Sequence, residues 1–148
     1  MAHWSIPFDK LAKKTKTDIE TVVRESTFII FTQVVIRSPV DTGRFRANWN
    51  VSYNTINTAT TQDVQPDFNL KLDEVQKALL QMPIGGMYWL ANSLPYAKVL
   101  EYGLYPNPPI AGADKTKNGY SKQAPHGMVR VAAREFSDAV NRAVAKRK

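Results

Sequence analysis

Few side chains in this sequence have a type and spacing that could do chemistry. Asp41-Thr42-Gly43 is the triplet that carries the catalytic carboxylate of aspartic proteases. That chemistry needs two such loops face to face, in a longer chain or across a dimer, so the triplet reads first as a helix-to-strand connector. The two histidines, His3 and His126, stand far apart, and neither belongs to a His-x-x-x-His or His-Glu-x-x-His pattern. Asp18 and Glu20 fall on a basic, polar stretch and read as solvated. No glycine-rich phosphate loop follows a strand pattern, and no serine has a nucleophile signature. Cysteine is absent, which removes thiolate metal sites and disulfides. Neither a catalytic activity nor a bound metal or cofactor is expected. Glu101 is the charge of most interest, because it can meet Arg44 or Arg46 bidentately, within one subunit or across two.

The elements that must position these residues follow from periodicity. Phe8, Leu11, Thr15, Ile19, Val22, Ser26, Ile30 and Val34 recur at steps of three or four, which predicts a helix over 7–38. Pro7 suits its first turn, Asp9 suits the positive end of its dipole, and Pro39 stops it at Ser38. Such a helix is about 46 Å long at roughly 1.5 Å per residue. It therefore either breaks near Thr15–Thr17 or packs in part on another subunit. From Phe28 to Ile36 it is apolar on more than one face, which calls for burial all round, by a crossing sheet or by an oligomer.

Trp49 to Asn54 alternates apolar and polar and predicts a half-buried strand. Residues 55–69 form a long polar loop, and Leu70 to Met82 a short helix with Leu72, Val75, Ala78, Leu79 and Met82 on one side. Gly85-Gly86 is a turn, and 87–92 a second strand. Pro95 opens a short helix over Tyr96–Tyr102, and Gly103 sits where a left-handed C-cap is wanted. Residues 104–123, with Pro106, Pro108, Pro109, Gly112 and Gly119, read as a long loop, either functional or mobile. Deleting 106–120 is expected to spare the monomer and impair assembly. A last helix starts near Pro125 or Met128 and runs through Val131, Ala132, Phe136, Ala139, Val140, Ala143 and Val144.

The expected architecture is α+β over a single domain, 1–148. A long N-terminal helix and a C-terminal helix pack on a small, mainly antiparallel sheet, with a short middle helix and long loops. The core is expected from Phe28 to Ile36, Trp49, Tyr88, Leu90, Leu100 and Phe136. The chain has 148 residues, 43% hydrophobic, which is enough for one real core. No apolar run reaches the roughly 18–20 residues that span a bilayer, and Met1-Ala2-His3-Trp4-Ser5 lacks a signal-peptide layout. The chain reads as soluble and unexported. Its formal charge is +7, with Lys10, Lys13, Lys14 and Lys16 clustered near the start and Arg142, Lys146, Arg147 and Lys148 at the end. These are solvated helix faces or contacts with DNA or an acidic neighbour.

Two phrases carry the functional reading. In Pro39-Val40-Asp41-Thr42-Gly43-Arg44-Phe45-Arg46, the Asp41 carboxylate can accept from the N–H of Gly43 or Arg44. Gly43 permits a tight approach. Phe45 goes inward while Arg44 and Arg46 face out or pair. In Tyr96-Ala97-Lys98-Val99-Leu100-Glu101-Tyr102-Gly103, one helical side packs and Glu101 stands apart. These two phrases, followed by Gln123-Ala124-Pro125-His126-Gly127-Met128-Val129-Arg130 before an apolar helix, resemble the tail-completion, or head–tail joining, family of long-tailed bacteriophages. The likeness spans roughly residues 20–145. Phe45 stands where a leucine is common, and His126-Gly127 follow Pro125 where many relatives place an aromatic.

The resemblance implies a non-enzymatic α+β subunit of the virion, assembled in the host cytoplasm into a ring, usually a hexamer, at the tail–head junction. Its implied partners are further copies of itself, the tail terminator or tail tube protein, and head-completion or connector proteins. Weak contact with DNA in the lumen is compatible with the charge. No membrane is involved. Asp41, Thr42, Gly43, Arg44, Arg46, Tyr96, Glu101, Tyr102, Gly103, Pro125 and Met128 are the motif and interface residues expected from it. Loops 55–69 and 104–122 are expected to meet neighbours. A tail terminator ring is the near alternative. A small basic nucleic-acid-binding module is the alternative of another class, although no arginine-rich recognition helix or aromatic stacking motif stands out.

Overall fold

The computed structural model of the chain describes residues 8–109 and 115–146. The readings of His3, Pro7, Gly112, Arg147 and Lys148 fall outside them. The side chains of residues 8–12 and 14 fall outside them as well.

Helix α1 runs unbroken from Phe8 to Arg37. Of the two alternatives, the break near Thr15–Thr17 does not occur, and the threonines bond back into the helix. Thr17 donates to the Lys13 carbonyl at 3.0 Å and Thr21 to the Thr17 carbonyl at 2.9 Å. Pro39 ends the helix, and Ser38 Oγ turns back to the Val34 carbonyl at 2.8 Å.

One helical turn, α2 (Arg44–Ala47), precedes strand β1 (Asn50–Tyr53), where the sequence pointed to a direct passage from turn to strand. β1 pairs antiparallel with β2 (Tyr88–Ala91), in a register that sets Asn50 against Ala91 and Tyr53 against Tyr88. Between them lie the polar loop and α3 (Phe68–Gln81), which Asp67 caps by accepting from the Asn69 N–H at 2.9 Å. α4 (Ala97–Tyr102) ends on Gly103 in the left-handed conformation, φ 66°, as the sequence indicated.

The expected loop 104–123 contains a second antiparallel hairpin, β3 (Thr116–Lys117) and β4 (Tyr120–Ser121). Asn118 and Gly119 both have positive φ there, which suits a tight two-residue turn. Gly119 accepts from the Tyr105 N–H at 3.0 Å. The segment 106–120 is thus partly fold, and its deletion is expected to destabilise the monomer rather than spare it. The last helix is two, α5 (Val129–Arg134) and α6 (Phe136–Ala145), interrupted at Glu135.

The core gathers Val34 and Val35 of α1, Phe45, Trp49, Leu94, Leu100, Ala124, Met128 and Ala132. Phe45 meets Trp49 edge-on, with ring centroids 5.7 Å apart. Phe136 and Ile36, expected inside, are exposed. Phe136 opens a separate helix after the break at Glu135. Tyr88 and Leu90 are half-buried, as befits a two-stranded sheet covered on one face.

Candidate functional site

The two phrases and the third segment meet around a cleft of about 400 Å³. Val40, Thr42, Phe45, Tyr96, Tyr105 and Gln123 are among its walls. Gln123 pins the first phrase like an extra strand: its Oε1 accepts from the Val40 N–H at 2.8 Å and its Nε2 donates to the Val40 carbonyl at 2.9 Å.

The turn at Asp41 is built differently from the expectation. Thr42 Oγ1, and not Asp41, accepts from the Arg44 N–H, at 3.2 Å. Asp41 is exposed and pairs with exposed Lys115 at 3.3 Å. Gly43 carries the turn. Its φ is 94°, and a Cβ added there would lie 2.4 Å from the Pro66 nitrogen. The Gly43 carbonyl accepts from Gln65 N–H at 2.9 Å and Ala47 N–H at 3.1 Å.

Arg46 does not face outward. It is 5% exposed, donates to the Pro66 carbonyl, Nη1 to O, at 2.6 Å, and lies over the Phe68 ring at 5.7 Å. Burial lowers its pKa, and Asp67 opposes that shift. Arg44 Nε donates to the Thr61 carbonyl at 3.3 Å, and buried Asn48 ties the same loop by accepting from the Thr61 N–H at 2.8 Å. The first phrase therefore clamps the polar loop 54–67 onto the body.

Glu101 does not reach Arg44 or Arg46. It turns to the third segment, where its Oε2 accepts from the N–H of Met128 at 2.8 Å and of Val129 at 2.9 Å. Its Oε1 accepts from the Arg130 N–H at 2.9 Å and from Arg130 Nε at 3.2 Å. The carboxylate thus fills the role a capping side chain would take at the start of α5. Arg130 closes the unit by donating to the Glu101 carbonyl at 2.6 Å and to the Tyr120 hydroxyl at 3.1 Å, with its guanidinium 4.8 Å from the Tyr102 ring centroid.

Burial pushes the Glu101 carboxyl pKa up, but the bonds from Arg130, Met128 and Val129 outweigh it, and the group is held below the ordinary range. Gly127, with φ 83°, lets the chain pass: a Cβ there would lie 2.6 Å from the Glu101 carbonyl oxygen. Met128 is buried and gives its N–H to this cap, whereas Pro125 is exposed and bridges to Gly127. Tyr102 is exposed, stacked on Arg130, and Gly103 caps α4 beneath Tyr120.

These bonds hold the three phrases to one another, chiefly through backbone groups. The Tyr96 phenol is raised by burial, with Arg44 opposing and Tyr105 and Asp41 reinforcing, so it stays neutral. Among the described residues no three of His, Cys, Asp or Glu cluster as a metal site would. His126 is exposed. No helix among them is long and apolar enough to cross a membrane.

Sequence reasoning quoted Gln123 and Arg130 in the third phrase without giving either a role, and it missed Lys71. Lys71 is 2% exposed and donates to the Ala47 carbonyl and to Glu74, both at 3.2 Å. Its signal was its place in register with Val75 and Leu79. Against known proteins, the chain matches no protein-family model, no curated protein and no solved structure.

Proposed function

We propose that this chain is a structural subunit of a long-tailed phage particle. It forms a ring at the head-proximal end of the tail, completing the tail and joining it to the head. In this reading it catalyses no reaction and holds no cofactor. The observation that carries the reading is the meeting of the three phrases on which the family likeness rests. Glu101 of the second caps the helix opened by the third, and Gln123 of the third holds Val40 of the first. Residues with a shared structural task belong at a common junction, and these are joined by hydrogen bonds to backbone rather than aimed at a reacting centre.

A second support is the surface. Ile19, Ile36, Leu70, Leu80, Met87, Leu104 and Phe136 are all exposed large apolar side chains. A subunit with several neighbours has use for such a surface. The reading takes copies of the chain, the tail terminator or tube, and a head-completion protein as partners. Basic side chains such as exposed Arg142 and Lys146 can touch DNA in the lumen.

Co-sedimentation with tail tubes of the phage that encodes the chain tests the proposal. The chain is expected in the tube fraction, at tube ends by electron microscopy, at moderate salt. A chain that ignores tubes and binds duplex DNA with a steep salt dependence overturns it in favour of the nucleic-acid-binding module. A chain whose presence fixes tube length is a tail terminator instead.

A further inference from the structure

The outer edge of β2 is open. In the register that pairs β2 with β1, the Asn54 N–H donates to the Met87 carbonyl at 2.7 Å, so Asn54–Met87 is a bonded pair and bonding alternates from there. Trp89 and Ala91 therefore bond inward to β1, while the N–H and C=O groups of Tyr88 and Leu90 point away from it. Among the described residues nothing bonds to these outward groups. The far side of β1 is used differently. The Tyr53 carbonyl accepts from the Thr55 N–H at 2.7 Å, and Asn50 Nδ2 donates to the Ala59 carbonyl at 2.6 Å, so the chain's own polar loop lies against that strand.

Nothing blunts the open edge. Exposed edges commonly carry lysine, proline or a bulge, and residues 87–91 read Met-Tyr-Trp-Leu-Ala. Charge decides what can approach. The chain carries +7, yet no charged residue occurs from Ala47 to Gln62 or from Ala78 to Ala97, the stretches that hold both strands. A nucleic acid or an acidic protein is drawn to cations, and β2 offers none. Two copies of a basic chain repel wherever their cations meet, and this neutral edge is where they can come together.

We infer that β2 pairs antiparallel with β2 of a second copy about a twofold axis, making one four-stranded sheet. The outward groups fix the register. Tyr88 of each copy exchanges bonds with Leu90 of the other, which centres the axis on Trp89. Met87 of each copy then lies opposite Ala91 of the other. Leu90 packs against the core and side chains alternate along a strand, so Met87 and Ala91 meet on the face away from the core. The contact goes beyond the ring reading and does not rest on it, since a twofold pairs copies whether or not they also close a ring.

The absence of cysteine makes a cross-link readable. In this register Met87–Ala91 is a non-bonded pair, whose Cα atoms approach to about 4.5 Å, close enough for a disulfide. Full-length Met87→Cys and Ala91→Cys, mixed and oxidised, are expected to link to each other, while each alone stays unlinked. Self-linked Met87→Cys at equal yield would mean another register and overturn the inference. A charge swap tests the same contact without a link. Met87→Lys/Ala91→Lys sets like charges opposite one another and should raise the dimer dissociation constant about tenfold or more by sedimentation equilibrium. Met87→Lys/Ala91→Glu should restore it. Leu90→Pro removes an N–H that the subunit itself does not use, so it should abolish the dimer and keep the folded circular dichroism spectrum. A dimer indifferent to these variants overturns the contact. So does a chain monomeric at every concentration, which would leave the edge to a strand of a different neutral protein. Neither result touches the ring reading, which tail-tube binding decides on its own.

Discussion

Asp41 and Glu101 are both carboxylates set in turns or caps, and the fold uses them in opposite ways. The Asp41 side chain is 80% exposed and meets one equally exposed lysine. The Glu101 side chain is 11% exposed and accepts from three backbone N–H groups and a guanidinium. A solvated ion pair contributes little, because water and salt screen it and two side chains must be ordered. A buried carboxylate that satisfies several donors is costly to remove, because its donors are then left without partners. The polar residue that matters is thus chosen by what it leaves unpaired, not by how conspicuous its motif is.

Glu101→Ala is the largest break in that comparison. It strips the start of α5 of its cap and leaves Arg130 without its carboxylate, so it should cost about 3 kcal/mol in denaturant unfolding. Glu101→Gln should recover part of this, since one oxygen still accepts. Gly43→Ala comes next, at about 2 kcal/mol, because the added methyl meets the backbone of Gln65 and Pro66 at a positive φ. That result would locate the strength of the Asp41 turn in its glycine.

Acid sharpens the contrast. The Glu101 pKa is lowered in the folded state. Its contribution is therefore complete above the ordinary glutamate pKa of the unfolded chain, about 4.3. It is lost as pH falls through the lower folded value. Thermal unfolding should show a stability loss below about pH 4 that is shallower in Glu101→Gln. Asp41→Asn is the smallest effect, within about 0.5 kcal/mol at physiological salt.

Elements whose cause is local were legible. Pro39 after an apolar helical run marks the end of α1, Gly103 marks the end of α4, and the alternation over Trp49–Asn54 and the apolar run 87–91 after the Gly85-Gly86 turn give the paired strands. The helix over Phe68–Gln81 showed in the spacing of Val75 and Leu79. Contacts across the chain were not legible. Glu101 finds donors 27–29 residues away, and those donors are backbone N–H groups, which leave no mark in residue type. Arg46 was open to facing out or to pairing with Glu101, and its actual acceptor, the Pro66 carbonyl, is equally silent. The β3–β4 hairpin was hidden by its length, since two residues a strand carry no alternation to read. Phe136 followed the helical period of its neighbours, but the break at Glu135 shifts that period and turns its ring to the surface.

The solution mass of the full chain, by light scattering across protein concentration and salt, tests the central claim most directly. A ring subunit predicts a species of several copies, near a hexamer. A monomer at every concentration and salt, unchanged by added tail tubes, would contradict the account.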